Sequence, residues 1–296
     1  MKKAGRSSQK ARGATSLESV SQRGTGPFAR ALPPASTEEV VPDVAGMSLE
    51  RIERKSLLYR SGLGFDCINH AQGCSHGCRY PCYAFLMARH HGRARDYQEW
   101  CRPRIVDNAL DLLDRELARK RVLPECVHLC LTTDPFMVGH AEVGALSLAI
   151  VERLNRSGIE CSLLTKGRLP AELADRRRFP SDNTHGISLV SLDEGFRREW
   201  EPGAAPYAER VAALRQLHDA GRRTLVHIEP YPTPAIFEQD LSELLAAVSF
   251  VDHVYFSGWN YSPRVGRDGS ANAFYRAQSR TVRQFCAQHG IDCQAG

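Results

Sequence analysis

The stretch GCSHGCRYPCYAF, residues 73 to 85, carries three cysteines, Cys74, Cys78 and Cys82, with three residues between successive members. Thiolates this close in sequence are ligands for a metal ion or a cluster. A closed structural zinc site takes four ligands, so zinc here would need His70 or His76 as the fourth, and spacing alone leaves that open. A cubane iron–sulfur cluster on three thiolates leaves one iron free for an outside molecule, which makes the missing fourth cysteine a binding position. Gly73 and Gly77 allow a loop to wrap closely, because glycine tolerates backbone angles that other residues avoid. The chain has ten cysteines, and the other seven (Cys67, Cys101, Cys126, Cys130, Cys161, Cys286 and Cys293) are scattered. Cys126 and Cys161 fall in or beside apolar strand-like runs, where cysteine acts as a small buried hydrophobe, and Cys286 and Cys293 read as structural.

The loop must be held by the elements around it. SLERIERKSLL, 48 to 58, reads as a short helix, and FDCINHA as a strand running into the cysteines. Helical spacing of Ile105, Ala109, Leu112, Leu113 and Leu117 predicts a helix over 104–121. Strands are expected at VHLCLTT, ECSLLTKG, HGISLVSLD, TLVHIEPYP and HVYFSGWN. Helices are expected between them over roughly 141–156, at LPAELADRR, over 206–221 with Gly221 as its cap, and at DLSELLAAVSF, with a last helix at ANAFYRAQSRTVRQFCAQHG. Sustained strand–helix alternation implies parallel strands with right-handed crossovers. Without a dinucleotide glycine fingerprint, six such units predict an α/β fold, a partial (β/α)6 TIM-type barrel. Polar groups end the apolar runs: Asn69 and His70, Thr132 to Asp134, Thr165 and Lys166, Ser191 and Asp193, His227 and Glu229, then Ser257, Trp259 and Asn260. Strand C-terminal ends are where such barrels build their active sites.

Composition is that of an ordinary globular chain, 42% hydrophobic and 25% charged, and no apolar run is long enough to span a bilayer. With no apolar stretch after its basic N-terminus, the chain reads as cytoplasmic, and its cysteines then point to metal or redox chemistry rather than disulfides. The net charge is +5, but seven basic residues against Glu18 give residues 1–37 a charge of +6, leaving −1 for the remainder. Residues 1–45 therefore read as a disordered basic tail, able to engage nucleic acid by counterion release. The barrel is expected over 46–262 and a C-terminal helical extension over 263–296.

The segment INHAQGCSHGCRYPCYA resembles the cluster loop of the radical S-adenosylmethionine (radical SAM) superfamily, in its spore photoproduct lyase-like branch. Tyr80-Pro81 makes the last cysteine spacing three rather than the branch's two. LTTDPF at 131–136 is similar to the branch's TDP motif and LLTKG to its strand-end TK; SLDEGFRREWEPGAAPYAERVAALRQLHDAG resembles its long EP…R segment. The likeness spans about residues 55–262. It implies a [4Fe–4S] cluster on Cys74, Cys78 and Cys82, with S-adenosylmethionine (SAM) on the unique iron. Reductive cleavage of SAM would yield methionine and a 5′-deoxyadenosyl radical that abstracts hydrogen from substrate.

By position, the resemblance implies that Thr132, Thr133 and Asp134 meet the SAM amino group. Lys166 and Ser191 would face its carboxylate and ribose, Arg210 would add a carboxylate contact, and Tyr80 or Tyr83 would lie near the adenine. An electron donor such as flavodoxin or ferredoxin is implied as partner. The branch's DNA lyase repairs a thymine dimer and uses a cysteine hydrogen donor; Cys130 stands one residue off that position and reads as core. His227, Glu229 and Trp259 are weaker candidates for facing substrate. The expectation is thus a radical SAM enzyme of unidentified substrate. Its alternatives are a DNA photoproduct lyase and a non-catalytic, zinc-stabilised nucleic-acid binder.

Overall fold

The computed structural model describes residues 48–259 and 269–296. The expected tail, Asn260 and the boundary at 262/263 lie outside them. Eleven strands and eight helices follow one another in the described chain. The first strands are β1 (Glu50–Ile52), β2 (Leu58–Arg60), β3 (Asp66–Ile68) and β4 (Ala71–Gln72). After the cysteine loop come α1 (Tyr83–His90), α2 (Tyr97–Trp100), β5 (Arg104–Val106) and α3 (Ala109–Arg119). Then β6 (Cys126–Leu129), α4 (Ala141–Arg156), β7 (Glu160–Thr165) and β8 (Thr184–Ser188) lead to α5 (Glu194–Trp200) and α6 (Tyr207–Asp219). The chain closes with β9 (Arg223–Tyr231), α7 (Leu241–Ala247), β10 (His253–Gly258), α8 (Ser270–His289) and β11 (Asp292–Ala295).

The main sheet runs β11-β10-β9-β8-β7-β6-β3-β2, parallel throughout except that β2 is antiparallel to β3. Six of its strands, β3 and β6 to β10, are the expected parallel set. Its edges, β2 and β11, do not pair with each other, so the structure is a partial TIM-type barrel. A second, three-stranded sheet, β1-β5-β4, sits beside the cysteine loop.

Alternation along the strands separates two faces. Val127, Leu129, Leu163, Ile187, Val226, Ile228, Val254 and Phe256 are wholly buried, as are Leu113, Ile150, Leu154, Leu214 and Leu245 from the helices. Each such aliphatic side chain contributes about 1.5–3 kcal/mol through burial. Intervening positions turn a polar row into the barrel: His128 bonds Ser162 at 3.3 Å, and His227 stacks on Tyr255 at 4.1 Å.

Four expectations are corrected. Residues 48–58 form no helix: β1 pairs with β5, and the Leu57 and Leu58 amides donate to the Glu116 carboxylate at 2.9 and 2.8 Å. These tertiary partners override local helical spacing. The helix foreseen over 104–121 begins only at Ala109, because Arg104–Val106 is taken into the side sheet. LPAELADRR contributes only a single tight turn, Ala171–Ala174. The C-terminal segment is no mere helical appendage, since β11 pairs in parallel with β10 and extends the main sheet.

Candidate functional site

The cysteine loop leaves β4 through Gly73, whose φ is +87°. A Cβ there would stand 2.6 Å from the Trp100 carbonyl, so the turn demands glycine. On one side the loop is held by α2: the Cys74 amide donates to Trp100 O at 3.0 Å, and Tyr97 OH donates to Cys78 O. On the other it is held by the segment after α5. The Arg79 amide donates to Trp200 O at 2.8 Å, and the Gly203 amide to His76 O at 2.9 Å. A Cβ on Gly203 would lie 2.3 Å from Ser75 O. Gly203→Ala is therefore expected to cost about 1–3 kcal/mol of stability, read as a lower thermal midpoint, by forcing this segment off the loop.

The three thiols converge without forming a tight cage. Burial pushes all three upward from the ordinary thiol range, Cys78 to about 12, and Cys78 and Cys82 each raise Cys74 further. Cys82 begins α1, where the Phe85 and Ala84 amides and Lys166 pull its thiol back down. Among the described residues no group of three or more His, Cys, Asp or Glu is gathered for a metal ion. In a cubane each thiolate binds a different iron and stands further from its fellows than around one ion. His70, a possible zinc ligand, is committed elsewhere: its Nδ1 lies 3.4 Å from Cys130 Sγ and its Nε2 2.9 Å from Ser147 Oγ. The loop does retain buried polar atoms lacking a partner, Ser75 Oγ and His76 Nε2. Three thiols in one short loop, a glycine-bound wrap and an unpartnered Ser75 Oγ fit the three-thiolate set of a cluster, while His76 Nε2, unlike His70, is left free to approach a bound group.

Behind the loop lies Glu201, fully buried, which sequence reading quoted inside a motif but did not select. Its Oε1 accepts from Tyr80 OH at 2.6 Å and lies 3.2 Å from Lys166 Nζ; its Oε2 lies 2.8 Å from Arg210 Nη2. Burial alone would raise this carboxyl, but Lys166, Arg210 and Tyr80 together hold it down at about 2. Arg210 is wholly buried and also donates to the carbonyls of Ala205 and Ser188, at 2.8 and 2.9 Å. It anchors the segment after α5 to β8 and Glu201. Tyr80 is likewise buried, edge-to-face with Trp259 at 5.5 Å, and braces the loop. Trp259 packs in turn on Trp200 at 5.1 Å and is core. Lys166, 15% exposed by side chain, has its ammonium over the Tyr80 ring at 5.4 Å, beside the Glu201 carboxylate.

The TTD turn after β6 is tied to the same centre. Asp134 is buried and accepts from Phe136 N at 2.8 Å, Thr165 Oγ1 at 2.6 Å and Lys166 N at 2.8 Å. Asp134 thus ties the turn to β7, and its Oδ2 also lies 3.5 Å from His76 Nδ1 in the cysteine loop. Thr133 Oγ1 donates to Gly73 O, and the Thr132 amide to Asn69 Oδ1 at 3.1 Å, so this turn closes over the start of the cysteine loop. Ser191 is buried three residues beyond β8, its Oγ accepting the Asp193 amide at 3.1 Å, and it caps a turn. Tyr83 fares differently: 43% exposed at the start of α1, it donates its OH to Leu131 O, and burial of the phenol, with Cys82, Tyr59 and Glu229 adding, pushes it upward. His227 Nε2 lies 3.5 Å from Glu229 Oε2, and burial, with Lys166 and His128 adding, pushes its imidazole down to about 3. The neutral His227 and Glu229 thus line the lumen, a stronger placement than strand alternation alone suggested.

Comparison with solved structures gives the architecture a precedent. Spore photoproduct lyase complexed with dinucleoside spore photoproduct superposes with a TM-score of 0.61 over 87% of this chain and 88% of that one, at 18% identity. The fold is that of spore photoproduct lyase. A doubly substituted spore photoproduct lyase with bound AdoMet and dinucleoside spore photoproduct matches at TM-score 0.60 and 17% identity, covering 87% and 88% of the two chains. No protein-family model matches the chain. Uncharacterized protein ORF301 of Acidianus two-tailed virus is 25% identical over 190 residues, 61% of this chain. The match covers 60% of that relative's own length. The spore photoproduct lyase fold agrees with the resemblance carried by the cysteine loop, TTDPF and the EP…R segment. Glu201 and Arg210 are the E and R of that segment, and their contact explains why the two occur together. No helix among the described residues is long and apolar enough to cross a membrane.

Proposed function

We propose that the protein is a cytosolic radical SAM enzyme acting on an unidentified substrate. The observation that carries this reading is the placing of Cys74, Cys78 and Cys82 in one short loop, hydrogen-bonded to α2 and to the segment after α5, within the spore photoproduct lyase fold. These three would hold a [4Fe–4S] cluster, and iron binding would draw them into the thiolate form that burial otherwise disfavours. When bound, the cluster and SAM supply reductive cleavage of the sulfonium and a radical that abstracts hydrogen. The chain's own residues do the rest. Glu201 fixes the loop through Tyr80 and holds the Lys166 ammonium, while Asp134 holds the TTD turn against β7. Tyr83, His227 and Glu229 line the space where a substrate would sit.

Anaerobic reconstitution tests the reading. About four irons per chain and 5′-deoxyadenosine formed from SAM under reduction are expected. Colourless protein holding one zinc would overturn it.

A second reading, repair of a DNA photoproduct, draws on the neighbours solved with dinucleoside spore photoproduct. It would need a hydrogen donor, and Cys130 is buried beside His70, which argues against it. Turnover of a dinucleoside photoproduct by the reconstituted enzyme would decide for repair.

A further inference from the structure

Cys286 and Cys293 have no partner in the sequence pattern, and the fold gives each the other. Cys286 lies in the last turn of α8 and is buried, while Cys293 stands on β11 and is partly exposed. β11 runs parallel to β10, with Cys293 opposite Val254 and Ala295 opposite Phe256. Val254 and Phe256 are wholly buried in the core that also takes in α8, so alternation turns Cys293 to the α8 side of the sheet. On α8 the residues Ser279, Arg283 and Cys286 recur at helical spacing and form one stripe. That stripe runs down β11 in order: Ser279 Oγ donates to Gly296 O at 3.0 Å, and Arg283 donates to Ala295 O. The next step along both elements brings Cys286 to Cys293. Gly290, with φ of +68°, turns the chain between them, and the Ile291 amide donates to Cys286 O at 2.9 Å.

The two thiols also differ in access. Burial pushes the Cys286 thiol up to about 12, and the neighbouring Cys293 adds to the rise. Cys293 sits on the edge strand of the main sheet, where a molecule from solvent can meet it. An accessible thiol beside a buried one is the arrangement in which the first is attacked and the second resolves. Cys126 and Cys161, on neighbouring strands, do not share it. Cys161 stands opposite Val127, so Cys126 points to the other face of the sheet.

We propose that Cys286 and Cys293 form a redox-responsive dithiol that closes into a disulfide fastening β11 to α8. The oxidant is a small disulfide of the glutathione class. The Cys293 thiolate attacks one of its sulfurs, the S–S bond breaks, and one glutathione leaves with the proton that Cys293 lost. Cys286 then gives up its proton and attacks the Cys293 sulfur of the mixed disulfide, and the second glutathione leaves as thiol. The protein dithiol is thereby oxidised by two electrons and the glutathione disulfide is reduced by two. In a reducing compartment the pair stays open, and it closes as the poise turns oxidising. Closure needs neither iron nor SAM, so this site is independent of the three-cysteine loop.

The test treats the full chain with oxidised glutathione and follows the tryptic peptide 284–296 by mass spectrometry. That peptide begins after Arg283, has no internal lysine or arginine, and holds Cys286 and Cys293 with no other cysteine. An internal disulfide in it is expected, reversed by dithiothreitol. The oxidised chain should unfold at a thermal midpoint higher by about 4 °C. Cys286→Ser should trap glutathione on Cys293, whereas Cys293→Ser should carry neither a disulfide nor an adduct in this peptide. Both variants should lack the rise in midpoint. A wild-type peptide that stays reduced, or that carries separate glutathione adducts on both cysteines, overturns the proposal. So does a disulfide joining either residue to a cysteine elsewhere in the chain. Iron loading of the three-cysteine loop is read separately, and its failure would leave the dithiol untouched.

Discussion

Glu201→Gln is expected to lower the unfolding free energy by about 3 kcal/mol and to weaken retention of the cluster. Glutamine keeps the shape but leaves Lys166 and Arg210 facing each other beside a neutral group in a buried space. Removing one partner of a buried pair costs more than the pair contributes net, because the remaining charge stays out of water. For a chain of this size the loss corresponds to a fall in Tm of roughly 6–10 °C. The pH dependence carries the same signature. Glu201 is held at about 2 against an ordinary value of 4.5, so its contribution is fully present above pH 4.5 and is lost as pH falls toward 2. Wild type should lose stability across that window in acid titrations followed by circular dichroism. The variant's curve should lie lower and be flatter there. A variant matching wild type at neutral pH would show that the Tyr80–Glu201–Arg210 contacts do not brace the loop.

The placement of Glu201 also shows which kind of information a sequence carries. Repetition was legible: six parallel strands followed from apolar runs alternating with amphipathic helices, and α4 occupies 141–156 as its spacing indicates. Chemistry bound to local spacing was legible too, since three cysteines at short intervals cannot lie far apart. What escaped was the orientation of single polar side chains at strand ends. Asp134 and Ser191 stand where a ligand could be met, yet both turn to backbone amides, and Arg210 on α6 likewise turns to carbonyls and a buried carboxylate. A polar residue after an apolar strand serves either end, because buried backbone groups need partners as much as ligands do. The extra residue in the last cysteine spacing has a similar account: Tyr80 turns back into the core to reach Glu201. The signal that could have revealed the hub was the EP…R spacing itself, a carboxylate and a guanidinium nine residues apart across two helices. Short segments at 50–60 and 292–295 were misread because their partners, β5, Glu116 and β10, lie far along the chain.

Cys82→Ala is expected to abolish cluster assembly, whereas Cys130→Ala should leave it intact. The contrast follows from where the two thiols sit. Cys82 stands at the start of α1, its thiol raised by burial and only partly drawn back by the Phe85 and Ala84 amides and Lys166, with Cys74 and Cys78 close enough to be raised by it. Removing one of only three protein ligands leaves two thiolates, too few to retain a cubane under chelator challenge. Iron content after anaerobic reconstitution should fall to background, together with the brown absorbance. Cys130 has other partners. It is buried, with its Sγ 3.4 Å from His70 Nδ1, and the Ile68 carbonyl receives its amide at 2.7 Å. Truncation there removes one weak polar contact inside the core, a loss of about 1 kcal/mol. Thermal unfolding should register that small cost while iron content and 5′-deoxyadenosine formation stay at wild-type levels. Full iron loading of the Cys82 variant would mean that another residue completes the ligand set. Loss of SAM cleavage in the Cys130 variant would bring that thiol out of the core and into the chemistry.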